Sequence, residues 1–386
     1  MNPSFSPLFQ SYTFNNGTSV KNRLTVAPLT HWSSDKQGNV TQDEWDLLAS
    51  RAKGFGLFIA AATAVTWSGR GFGCEPNAIS TADLPSLQGA TAILQLHHAG
   101  LEAEPDATHG EGVVAPSAVG NARALTENEI FNIINTYGNA TELAIQAGFD
   151  GVEIHGANSY LFQQFVSKKT NQRQDQWGGT FEKRIRFSLM VTDAVIAARA
   201  KHNRPDFIIG YRFTPEEAGV NGITMADTFA LVDALSEKAI QYVHMSLQGF
   251  YNKIRRGGDV PQARMQAMHV RLQERTQGRI ALIGAGKLST PQMALEAFNT
   301  GWAEFVVIGM GVLANPNFVE LIETGKEDSA IEQPIINLGA QGNQLPETMW
   351  QVLISAFLKK ATHRHSRWFF ISPVRLCYQQ RPNRHI

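Results

Sequence analysis

Cysteine is scarce: Cys74 and Cys377 are the only two among 386 residues, and no CxxC pair occurs. This excludes a disulfide framework and any Cys-ligated zinc or iron–sulfur site, and it suits a reducing, cytoplasmic compartment; no metal site is expected. Net charge is also missing, with 34 Lys plus Arg against 34 Asp plus Glu. Such a balance gives no electrostatic case for nucleic acid or a membrane surface, so the expected partner is a small molecule. No apolar stretch reaches membrane-spanning length, and the opening MNPSFSPLFQSYTF lacks the basic and then apolar pattern of a secretory leader. Internal repeats and low-complexity linkers are absent as well, which argues for one domain.

What the chain does have is a recurring short apolar run. Eight occur: RLTVAP (23–28), GLFIAA (56–61), TAILQL (91–96), DGVEI (150–154), FIIGYR (207–212), QYVHM (241–245), RIALI (279–283) and EFVVI (304–308). Near-continuous hydrophobicity is what strands buried on both faces require, and it marks a parallel sheet. Helical segments lie between the runs. The clearest spans 126–147, with Thr126 and Glu129 as a capping box, Ile130, Ile133, Ile134 and Tyr137 on one face, and Gly148 as the stop. Others start near Thr41, Thr180, Thr224 and Pro291. The alternation points to a single α/β domain, a closed (β/α)8 TIM barrel over residues 1–352, with an open doubly wound sheet as the alternative. From Leu353 onward the character changes: Lys359, Lys360, Arg364, Arg367, Arg375, Arg381 and Arg384 have no acidic residue among them. Residues 353–386 read as a basic C-terminal tail, either peripheral or a contact for a partner.

Two glycine clusters end the last two runs, IGAGK (283–287) and IGMG (308–311). In barrels these two loops often close backbone N–H groups on a phosphate, although glycine also serves simply to turn the chain. Polar groups sit at other strand ends: Thr30, Gln95, His155, Asn158 and Arg212. Inside apolar runs, Gln95 and Arg212 each need a partner, since an unpaired buried amide or guanidinium costs several kcal/mol of lost hydration. The bland partners are the backbone for Gln95 and Glu216 or Glu217 for Arg212. Convergence of several such ends on one mouth instead suggests a large polar ligand.

One stretch, GFDGVEIHGANSYLFQQF (148–165), begins as a buried strand and ends in His155, Asn158 and Tyr160. With RLTVAPLT (23–30), AATAV (61–65), LQLHHAG (94–100), ALTENEI (124–130) and NQRQDQWGGTFEKRIRF (171–187), it resembles the Old Yellow Enzyme family of FMN-dependent NAD(P)H oxidoreductases. The likeness runs from about Phe5 to Glu327. It implies FMN as cofactor, NADH or NADPH as hydride donor, and reduction of an alkene conjugated to a carbonyl. Ala27, Pro28, Leu29 and Thr30 match the segment along the flavin ring, and Ala62 the small residue that makes room for it. Gln95 matches the amide at the pyrimidine edge, and Arg212 the cation beside N1 and O2. His155 and Asn158 match the donors to the substrate carbonyl, and Tyr160 the acid that protonates the carbon α to it. Without the resemblance, His155 reads as a core histidine and Tyr160 as an aromatic at the barrel mouth.

The chain departs from the family in two places. Many relatives carry an Arg after the glycine that ends strand eight, whereas Gly309 is followed by Met310. Phosphate binding is then left to Gly284, Gly286, Gly309 and Gly311, with Lys287 beside them. Beyond QLPETMW (344–350) the likeness ends. Two rivals are a lyase or isomerase barrel acting on a sugar phosphate and a flavin-binding protein with little turnover; none of the runs holds the lysine a Schiff-base aldolase needs. Barrels of this kind often pair as homo-oligomers. Met310→Arg is expected to slow loss of FMN on dialysis, read by the flavin remaining after successive buffer changes.

Overall fold

The computed structural model describes residues 1–83, 92–258 and 261–362. Each apolar run becomes one strand: β1 (Leu24–Val26), β2 (Leu57–Ala64), β3 (Ile93–His97), β4 (Gly151–Gly156), β5 (Ile208–Phe213), β6 (Tyr242–Met245), β7 (Ala281–Leu288) and β8 (Phe305–Ile308). They pair in parallel and in chain order, and β8 closes on β1, so the sheet is a barrel and not an open sheet. The α/β-barrel expectation holds.

Helices pack around it: α1 (Gln42–Ala52), α2 (Glu127–Gln146), α3 (Phe181–Lys201), α4 (Met225–Ser236), α5 (Arg264–Thr276) and α6 (Pro291–Asn299). Five of the six are N-capped by threonine. The hydroxyls of Thr41, Thr126, Thr180, Thr224 and Thr290 each accept from the backbone N–H three residues on, and Thr126/Glu129 and Thr224/Asp227 are full capping boxes. A further helix, α7 (Glu347–Thr362), crosses the expected boundary at 352. The basic residues from Arg364 onward lie outside the described residues.

Alternation along each strand sorts the side chains. Val152, Ile154, Ile209, Phe213, Val243 and Met245 point outward into the main core beneath the helices. The residues between them, including Gln95, Glu153, Arg212 and His244, fill the barrel and lie side by side in register. Gly210 is required here: a Cβ on it would stand 2.0 Å from the ring of Tyr242, which crosses the interior at that level.

The floor of the barrel is apolar. A short antiparallel hairpin, Tyr12–Thr13 with Ser19–Val20, brings Phe14 under the strands. Phe14 stacks on Phe305 at 5.6 Å and packs with Ile59, Ile93, Ile208 and Tyr242. Among the described residues, no helix is long and apolar enough to cross a membrane. Phe14 is 2% exposed, so Phe14→Ala should destabilise the protein by about 3–5 kcal/mol, visible as a lower urea midpoint.

Candidate active site

Above the floor the barrel interior turns polar. Glu153, fully buried, accepts from Gln95 Nε2 at 2.6 Å and pairs with His244 Nδ1 at 2.9 Å. Burial alone would raise its pKa, but His244, Arg212 and Gln95 together bring it below the ordinary glutamate value, so it is a carboxylate. Burial likewise lowers the pKa of His244, which stands as a neutral ring donating through Nδ1. The partner of Gln95 is therefore a carboxylate and not the backbone. Arg212 is not paired with Glu216 or Glu217 either: Glu216 holds Arg264 and the backbone N–H groups of Arg255 and Arg256, and Glu217 holds Gln163 and Ser167.

Arg212 begins a relay toward the mouth. Its Nη2 donates to Ser246 Oγ at 3.1 Å, and that hydroxyl donates to Asn158 Oδ1 at 3.1 Å. The oxygen of the Asn158 amide is thus occupied, and Nδ2 is left to donate. Asn158 and the following Ser159 both have left-handed backbones, φ 58° and 67°, a strained pair held by hydrogen bonds from Asn158 N to Thr214 Oγ1 and from Ser159 N to Gln163 Oε1. His155 is arranged to the same effect. Its Nδ1 accepts from Ala157 N at 3.3 Å, so the neutral ring carries its proton on Nε2. Burial, then His97 and Arg212, push its pKa well below the usual histidine value. Tyr160 lies edge-on to His155 with centroids 5.1 Å apart, and burial together with Glu75 and Glu102 raises its pKa, so the phenol is protonated.

The structure adds residues that were not singled out in the sequence. His97 lies 4.4 Å from the Tyr160 ring and 5.2 Å from that of His155. Its Nδ1 is 2.5 Å from Glu75 Oε1, and Glu75 Oε2 accepts from Gly71 N at 2.6 Å. The buried Nε2 of His97 has no partner. His97 and Glu153 were findable by counting in twos from Gln95 and His155, and His244 as the inward neighbour of the outward Met245. Glu75 lies on the loop after β2 and carries no local signal.

The remaining expected ligand-binding residues divide. Ala62 pairs with Gln95 in register, and Ala27 N donates to Ile308 O, so small side chains border the polar layer. A Cβ on Gly309 would meet only Ala27 and Leu29, at 3.5 and 3.7 Å, which brings β1 and β8 together at the mouth. Pro28 and Thr30 follow in the same partly open segment. Gly284 and Gly286 have a packing reason as well: a Cβ would stand 2.8 Å from the Phe250 ring in one case and 2.2 Å from Phe250 N in the other. Met310 packs with Leu29 on a small apolar cluster that includes Met349 and Trp350 of α7. A flat ring with a polar, electron-rich edge fits this mouth, because Arg212 Nε is buried without a partner and Gln95 keeps its amide oxygen free of Glu153.

Known proteins resemble this chain in sequence and fold. The profile of the NADH:flavin oxidoreductase / NADH oxidase family matches residues 7–329. A probable NADH-dependent flavin oxidoreductase of Bacillus subtilis is 40% identical over 369 residues, covering 92% of this chain and 98% of that protein. An NADH:acrylate oxidoreductase of Vibrio harveyi is 34% identical over 369 residues, but the match spans 90% of this chain and only 36% of that longer protein. Among solved structures, the Old Yellow Enzyme homologue of Zymomonas mobilis superposes with a TM-score of 0.73 at 25% identity, covering 89% of this chain and 98% of its own.

Next to His97, His98 is fully buried, accepts from Gly100 N through Nδ1, and is pushed down to about 3 by burial and by His97. A histidine neutral in the fold and ordinary when unfolded favours the unfolded state below the unfolded value of about 6.5. Stability is therefore full above that pH and is lost as pH falls toward 3. His98→Asn, which keeps an acceptor for Gly100, should lose about 2 kcal/mol less than the parent between pH 7.5 and 5 in urea titrations.

Proposed function

Since the chain belongs to the NADH:flavin oxidoreductase / NADH oxidase family and its oxidoreductase chemistry runs on FMN with NADH or NADPH, we propose that it reduces the C=C bond of α,β-unsaturated carbonyl compounds. The observation that carries this reading is the matched pair of donors: in His155 and Asn158 the acceptor atom is already engaged, by Ala157 N and by Ser246 Oγ, which leaves two N–H groups for one oxygen. Two donors aimed at a carbonyl oxygen stabilise the negative charge that builds there when the β-carbon accepts hydride.

FMN, held by Ala27, Pro28, Leu29, Thr30, Gln95 and Arg212, would supply that hydride when bound and reduced. Every other requirement falls to side chains. Arg212 is a fixed cation within the barrel and favours an anionic ring beside it. His155 stays neutral, so it polarises the carbonyl without giving up its proton. Tyr160, edge-on to the rings of His155 and His97, stays protonated and is the acid assigned to the α-carbon. The small-molecule substrate is an activated alkene; a sugar-phosphate isomerase reading draws no support from Gly284 and Gly286, which are accounted for by Phe250.

Anaerobic stopped-flow mixing separates the steps. The flavin should bleach with NADH or NADPH and recolour with 2-cyclohexenone. Tyr160→Phe is expected to leave bleaching within about twofold of the parent and to slow recolouring by about a hundredfold or more. Equal loss in both steps would remove Tyr160 from its role, and a bleached flavin that enones leave bleached would mean a flavin protein without this activity.

A further inference from the structure

Glu153 touches no substrate in the mechanism above, yet the groups assigned to the cofactor depend on it. We infer that Glu153 is a positioning residue for FMN: its carboxylate decides which end of the Gln95 amide faces the ring and offsets the charge of Arg212, and so governs both the grip on FMN and its reduction potential. This rests on the reading that Gln95 and Arg212 border the flavin.

The orientation argument follows from donors and acceptors. An ionised carboxylate only accepts hydrogen bonds. Glu153 Oε1 lies 2.6 Å from the Gln95 amide, so the atom facing it is the NH2 group, and Oε1 of Gln95 must face the other way. The pyrimidine edge of a flavin carries one N–H between two carbonyls, and an outward amide oxygen suits that N–H. The second hydrogen of the Gln95 NH2 group is left over for a neighbouring carbonyl. Glu153 cannot turn to release the amide, because His244 Nδ1 holds Oε2 at 2.9 Å from another strand. Both residues are fully buried, and Gln95 is 1% exposed, so water offers no substitute partner.

The charge argument is independent. Among the described residues, Glu153 is the acidic group acting on Arg212, which stands two residues beyond the backbone position paired with it. A buried anion beside that cation lowers the positive potential available to reduced, anionic flavin. Removing it leaves Arg212 uncompensated.

Three measurements on the full chain test this. Glu153→Gln, whose amide can donate or accept, removes both effects: FMN affinity should fall about tenfold and the reduction equilibrium should shift at least tenfold toward reduced flavin, about 30 mV for two electrons, read against redox dyes. Glu153→Asp keeps the charge with a shorter reach and should weaken FMN binding while leaving the potential near the parent value. The unmutated apoprotein needs no variant to fold: it should bind N3-methyl-FMN, which lacks the N–H, at least tenfold more weakly than FMN. Parental affinity and potential in Glu153→Gln, or equal binding of the two flavins, would overturn the inference. An apoprotein that binds neither flavin would sink the cofactor reading itself, and this inference with it.

Discussion

A carboxylate sealed from water has to collect its donors from the protein, and Glu153 collects them from the strands around it. Gln95 on β3 and His244 on β6 bind its two oxygens, and Arg212 on β5 supplies the opposite charge. A closed parallel barrel permits this because every second residue of each strand points to one shared axis. The same geometry forbids leaving any one of these groups out, since each would otherwise be a buried polar atom without a partner. Once the layer is set, the free valences left over face the mouth.

Those free valences are nearly all donors. Asn158 has its oxygen taken by Ser246, His155 has Nδ1 taken by Ala157, and Arg212 keeps an unpartnered Nε. The neutral state of His155 and the protonated state of Tyr160 follow from burial next to Arg212 and Glu75 respectively. Electron-rich atoms are what such a surface receives. The left-handed turn at Asn158 and Ser159 is where the backbone gives up local comfort to present them, and the hydrogen bonds its N–H groups donate to Thr214 and Gln163 keep it from relaxing.

Much of this was legible in the sequence where the causes were local. Eight apolar runs became eight strands because a strand buried on both faces must be largely apolar, and the helix starts were readable because a threonine hydroxyl caps an N–H three residues away. Partners were less legible in proportion to their separation. For Arg212 the nearby Glu216 and Glu217 look suitable, but the barrel supplies Ser246 from just past the end of the next strand while both glutamates are committed elsewhere. Glu75 meets His97 across a loop that no periodicity describes. Glycines carry a second reason that sequence does not show: beside the phosphate cradle expected of Gly284 and Gly286, the position of Phe250 adds a steric need.

The apolar floor has a kinetic meaning. With Phe14, Tyr242 and Phe305 filling the bottom of the barrel, the polar layer opens at one end only. Anything that reaches the donors of His155 and Asn158 enters and leaves by that doorway. On the proposed function, nicotinamide and alkene share that doorway and compete for it, so an excess of either blocks the other.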